Sequence, residues 1–185
     1  MRSILLLCGL LVALSGWGLA QPVAEPQDIS VLMKQMTGGV FSPLEMHRAL
    51  RQTRGSFFGS TDCFLSVPGP ASNVRYRKTE PIQFYLKVYL STTDPRASFF
   101  PLQDPTKFTL FKLVSKEDHR EVVLSESGAL YVNRDGGSPL LVRLFGESSF
   151  VLAPTAPLAP GEYALSYNPG DSNDNMVVYC FGVEP

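Results

Sequence analysis

The chain has 185 residues, 16 Lys and Arg against 17 Asp and Glu, and a formal net charge of −1. That balance lacks the basic excess of a nucleic-acid binder. The length suits one domain and can bury a core without staples. The charge is unevenly placed: residues 34–87 hold eight Lys or Arg against three Asp or Glu, and residues 88–185 hold seven against twelve. The two halves are expected to pack together and neutralise each other.

Residues 1–20 read as a signal peptide. Arg2 gives a short basic start, residues 4–14 an apolar stretch, and Gly18 and Ala20 the small residues of a cleavage site before Gln21. The expected location is therefore secreted, periplasmic or in the cell envelope. No later stretch is long and apolar enough to span a bilayer.

Residues 21–60 read as an N-terminal leader. Residues 21–28 are polar, Pro-bearing and expected to be mobile. Ile29, Leu32, Met33 and Met36 recur at helical spacing, ended by Gly38-Gly39. Ser42-Pro43-Leu44-Glu45 has the order of an N-cap, a first-turn Pro and a capping-box Glu. One or two short helices are predicted here.

From residue 61 the composition turns to strands. Ile82, Phe84, Leu86, Val88 and Leu90 alternate with Gln83, Tyr85, Lys87 and Tyr89, giving the cleanest strand in the chain. Residues 91–105 carry three prolines and form a long loop, with Phe99-Phe100 expected to lie on the core as a lid. Residues 108–113 and 176–183 are apolar on both faces and predict buried strands. Shorter strands are expected at 63–67, 74–78, 120–124, 129–132, 140–144 and 149–152. Pro160-Gly161 is a turn, and Tyr163, Leu165 and Tyr167 after it form one face of a strand. This pattern predicts a mainly β domain over residues 61–185, an antiparallel sandwich of about 7–9 strands.

Two cysteines follow the expected cleavage site, Cys63 and Cys180. In an oxidising compartment they would pair, stabilising the fold by roughly 4–5 kcal/mol in the chain-entropy view.

Residues that could carry chemistry are sparse. His47 and His119 are isolated, and no Cys, His and Asp spacing matches a zinc site. No nucleophile elbow or phosphate loop occurs. No cofactor is expected. Asp171, Asn173 and Asn175 have the spacing of a calcium loop but lack its central Gly and distal Glu, so the segment reads as solvated. Arg75, Arg77 and Lys78, near Tyr76, Tyr85 and Tyr89, form a candidate surface for carbohydrate or an anionic polymer. Glu117, Asp118 and Glu121 are the carboxylates clustered enough to watch for hydrolysis.

A strand opening Gly-Glu-Tyr after a turn resembles the tyrosine corner of immunoglobulin-like sandwiches. In that likeness Tyr163 would bond back to backbone within 156–159, with Pro160 and Gly161 making the turn. The runs DPTKFTLFKL (104–113), HREVV (119–123), PLAPGEYAL (157–165) and VYCFGV (178–183) resemble an uncharacterised group of secreted bacterial proteins. The resemblance implies an immunoglobulin-like sandwich and carries no known activity. The functional expectation is an exported, non-enzymatic binding or envelope module whose partner is a protein or an envelope polymer. The alternatives are a hydrolase acting on such a polymer and an assembly or adhesin subunit that adds an edge strand to a neighbour.

Overall fold

The computed structural model describes residues 24–55, 61–89, 104–125, 137–167 and 175–185. The expected signal peptide, the Phe99-Phe100 lid, the 129–132 strand, and Asp171 and Asn173 lie outside them.

The described residues are mainly β. In chain order the strands are β1 (Leu32–Gln35), β2 (Phe41–Pro43), β3 (Glu45–Gly55), β4 (Thr61–Pro68), β5 (Arg75–Tyr76), β6 (Phe84–Lys87), β7 (Phe108–Ser115) and β8 (His119–Ser125). There follow β9 (Gly137–Ser138), β10 (Leu140–Phe145), β11 (Ser149–Pro154), β12 (Gly161–Tyr167) and β13 (Asn175–Val183). The helical element among the described residues is a 3-10 turn at Pro105–Lys107, where the Asp104 carboxylate accepts from Thr106 N. No helix among them is long and apolar enough to cross a membrane.

Six strands close into a barrel in the order β12-β13-β3-β4-β8-β7, with β7 pairing back onto β12. This differs from the immunoglobulin-like sandwich expected above, in which two open sheets face each other. The cause lies in β7. Phe111 and Leu113 point into the barrel, while Phe108 and Leu110 point out of it, so the strand has a core on each face. A five-stranded sheet, β10-β11-β6-β1-β2, covers that outer wall.

The two cores differ in residue size. The narrow barrel interior takes Ala49, Leu65, Val67, Leu113, Ala164, Val178 and Cys180. The space between barrel and sheet takes the aromatics Tyr76, Phe84, Phe108, Tyr163, Tyr179 and Phe181 together with Leu32, Leu86, Leu152 and Leu165. Phe181 is fully buried at its centre, with its ring stacked 5.5 Å from Tyr163 and tilted 4.9 Å from Phe84.

Three expectations are corrected here. The helices predicted in the leader are strands: β1 pairs with β6 and β2, and β3 pairs with β13 and β4. Glu45 does not cap a helix; it points into the barrel. Part of the leader is also anchored: the Glu25 carboxylate accepts from Ser148 N, Glu147 N and the hydroxyls of Ser148 and Ser149, fixing the β10–β11 turn.

The third correction concerns the disulfide. Cys180 is a buried free thiol, which burial pushes up to about 12. It lies opposite Glu45 on one side of β3, and Cys63 lies opposite Thr53 on the other. Eight residues along β3 separate these positions, roughly 26 Å at 3.3 Å per residue. A bridge needs Cα atoms within about 7 Å.

Candidate functional site

Three charged residues of the barrel gather at one end. Glu45 on β3, Arg120 on β8 and Glu162 on β12 occupy inward positions of their strands. Arg120 is completely buried, and each of its guanidinium nitrogens has a partner. Nε donates to the Gly69 carbonyl at 3.0 Å and Nη2 to the Pro68 carbonyl at 3.0 Å. Nη2 also meets Glu45 at 3.3 Å, and Nη1 meets Glu162 at 3.4 Å. The loop after β4 thereby plugs the barrel. Its backbone adds Ser72 N to Glu162 and Asn73 N to Glu45, each at 2.8 Å. Burial alone would raise the Glu45 carboxyl. Donation from Ser72, His47 and Asn73, with the charge of Arg120, outweighs that and holds it below its ordinary value.

Glu162 joins this plug to the surface. One carboxylate oxygen serves Arg120 and Ser72; the other pairs with the Arg75 guanidinium. Arg75 can reach it because residue 182 is glycine: a Cβ there would coincide with the Arg75 guanidinium and crowd Glu162. Gly182→Ala is expected to cost about 1–3 kcal/mol through this clash. An unchanged thermal midpoint would mean that Arg75 does not cross Gly182 in solution.

On its outer side Arg75 borders a groove of about 510 Å³, lined also by Lys34, Arg77, Thr79, Glu80 and Glu184. Lys34 is nearly buried. Its Nζ donates to the Arg75 carbonyl at 2.6 Å, pairs with Glu80 at 3.0 Å and lies 4.0 Å from the centre of the Tyr76 ring. Arg77 is exposed and Glu184 half-buried, and neither side chain has an ion-pair partner among the described residues. A second cleft of about 350 Å³ shares Glu80 and is lined by Lys78, Pro81, Ile82, Pro157 and Leu158.

The groove thus unites Arg75 and Arg77, with Lys78 in the adjoining cleft. Tyr85 does not join them. It lies on the far face of the five-stranded sheet, packed against Met33, Val151, Phe41 and Phe145, with its hydroxyl 2.9 Å from Gln83 Oε1 and 3.2 Å from Gln35 Oε1. Tyr76 is buried in the main core. Tyr163 Oη donates to the Ala159 carbonyl at 2.7 Å across the Pro160-Gly161 turn.

The watched carboxylates lie elsewhere. Glu117 and Asp118 are exposed. Glu121 is buried against Lys116 at 3.3 Å, His119 at 3.4 Å and Arg54 at 3.7 Å. Burial would raise it, but Lys116 and His119 outweigh that and hold it low. An acid so held is ionised at neutral pH and gives no proton to a leaving group. Hydrogen bonding to Asp118, then to Glu121, raises His119. Among the described residues no group of three His, Cys, Asp or Glu could hold a metal ion.

No family model, curated protein or solved structure matches this chain.

The depressed carboxyls make the acid limit of stability readable. Glu25, Glu45 and Glu121 are all lowered in the folded protein. Their contribution is complete above the ordinary value of 4.5 and is lost as pH falls through the lower folded values. The carboxyls therefore hold stability level from neutral pH to about 5 and let it drop below about 4.5, while the raised His119 adds stability as pH falls from its folded value to below its ordinary 6.5. Glu45→Gln should make that drop shallower in urea melts taken between pH 3 and 7.

Proposed function

We propose that this protein is an exported, non-enzymatic binding module whose ligand sits in the groove bounded by Lys34, Arg75, Arg77 and Glu184. One observation carries the reading: the groove is held in shape from behind. Arg75 is pinned by Glu162 at the barrel plug, and Lys34 is pinned by Glu80 and the Arg75 carbonyl. A wall fixed by internal ion pairs needs no ordering when a ligand arrives, which favours binding. Export, residence in the envelope and kinship with the secreted bacterial group belong to the same proposal and rest on the N-terminal segment and the runs quoted above.

The test is an array of glycans, peptides and polyanions probed with the protein produced from the full-length chain. Retention that Arg77→Ala weakens supports the reading. Retention that survives Arg77→Ala, or none at all, removes the groove as the seat.

A second reading, strand addition, has one observation in its favour. Strand β10 ends its sheet and, among the described residues, pairs with β11 alone. It carries exposed Leu141 and Leu144 with a single charge, Arg143, between them. Such an edge is a template for another strand. Light scattering across a hundredfold range of concentration tests self-addition: a constant mass rules it out, and a mass that Leu141→Lys returns to monomer supports it.

A further inference from the structure

We infer that the groove takes a dipolar ligand, a short peptide with free ends, rather than a polyanion; this rests on the binding-module reading above. The basis is which charges remain available once the internal pairs are taken away. Three cations line the groove, but Lys34 is spent on Glu80 and the Arg75 carbonyl, and the charge of Arg75 is matched by Glu162 through Nη1 although its side chain stays 34% exposed. The Lys34 side chain is only 8% exposed, so a ligand cannot easily reach it.

What is left is one guanidinium and one carboxylate, Arg77 and Glu184, both lining the same cavity. Glu184 is held in place by its backbone N–H, which donates to the Tyr76 carbonyl at 2.9 Å. The residue sits directly beyond β13, so its position is set by the barrel wall. The planar fork of Arg77 matches a carboxylate. Glu184 matches an ammonium group. A polyanion entering the same space would meet Glu184 and Glu80 as like charges, and of the cations only Arg77 carries no carboxylate partner among the described residues.

The neutral parts of the groove agree. Thr37 and Thr79 add hydroxyls able to bond amide groups between two charged ends. The volume, about 510 Å³, lies within the range of small-ligand sites. The adjoining cleft offers Ile82, Pro157 and Leu158 to an apolar side chain.

Calorimetric titration separates the possibilities, using trialanine, its N-acetyl form, its C-terminal amide and inorganic polyphosphate. Trialanine should bind, and blocking either end should weaken it about tenfold or more. Arg77→Ala should abolish the preference for a free carboxylate, and Glu184→Gln the preference for a free amine. Both side chains lack ion-pair partners among the described residues, so the variants should melt like the parent protein. Polyphosphate binding through Arg77 without trialanine binding would overturn the dipolar ligand and leave the binding groove standing. If none of the four binds, the dipolar ligand falls, and the groove itself falls only if the glycan, peptide and polyanion array also shows no retention.

Discussion

Arg120→Leu is expected to destabilise the protein by about 3–5 kcal/mol, the cost of leaving buried charges without their partner. The midpoint of thermal unfolding should fall by about 6–20 °C. The size follows from the geometry. Arg120 is fully enclosed and satisfies two carboxylates and two carbonyls at once. Leucine of similar bulk removes every one of those bonds and leaves Glu45 and Glu162 facing each other. Arg120→Lys should recover only part of the loss, because one ammonium has three donors and no fork. Adding Glu45→Gln and Glu162→Gln to Arg120→Leu should recover more, since the stranded charges are then gone. A loss under about 1 kcal/mol in the single variant would show that water reaches the plug and screens it.

Phe181→Ala should cost about the same, about 3–5 kcal/mol, for a different reason. Phe181 is fully buried where the barrel meets the five-stranded sheet, in contact with the rings of Tyr76, Phe84 and Tyr163. Its removal leaves a cavity whose walls belong to two sheets tied by backbone ladders, so they can collapse only a little. Phe181→Leu keeps most of the volume and should lose much less. Chemical denaturation reads both. Equal losses for Ala and Leu would mean that the ring stacking, and not the space filled, is what matters.

The legible parts of the fold were those in which alternation and burial agree. Phe84, Leu86 and Val88 face the main core as their spacing predicts, and Tyr85 takes the other face. The double-sided strands are buried on both faces at Phe108, Leu110, Phe111 and Leu113 and over 178–183, because they form the wall between two cores; Val177 is exposed. Where the reading fails, the usual sidedness is inverted. On β3 the exposed residues include Met46 and Leu50, while Glu45 enters the barrel. A strand whose apolar residues point outward looks like a poor helix, and the local Ser-Pro-Leu-Glu order completed the mistake. Tertiary partners, absent from any local window, decide such a segment.

The groove was half legible. Arg75, Arg77 and Lys78 stand close in sequence and mark a basic surface. Lys34 and Glu184 come from opposite ends of the described chain and meet only because β1 joins β6 and β5 runs parallel to β13. Arg120 and Glu162 gave one faint signal: each is a charge at an inward position of its strand. Strand parity locates them only once the barrel's inside is known.

Among the described strands β13 comes latest in sequence, and it is hydrogen-bonded to β12, β3 and β5. The barrel therefore cannot be sealed by any earlier portion of the chain working alone. Every product shorter than this segment must wait with its wall gaping and its aromatic layer uncovered, and completion should come in one concerted step. Because so many of those pairings join distant parts of the polypeptide, that step should be slow beside a helical protein of equal size.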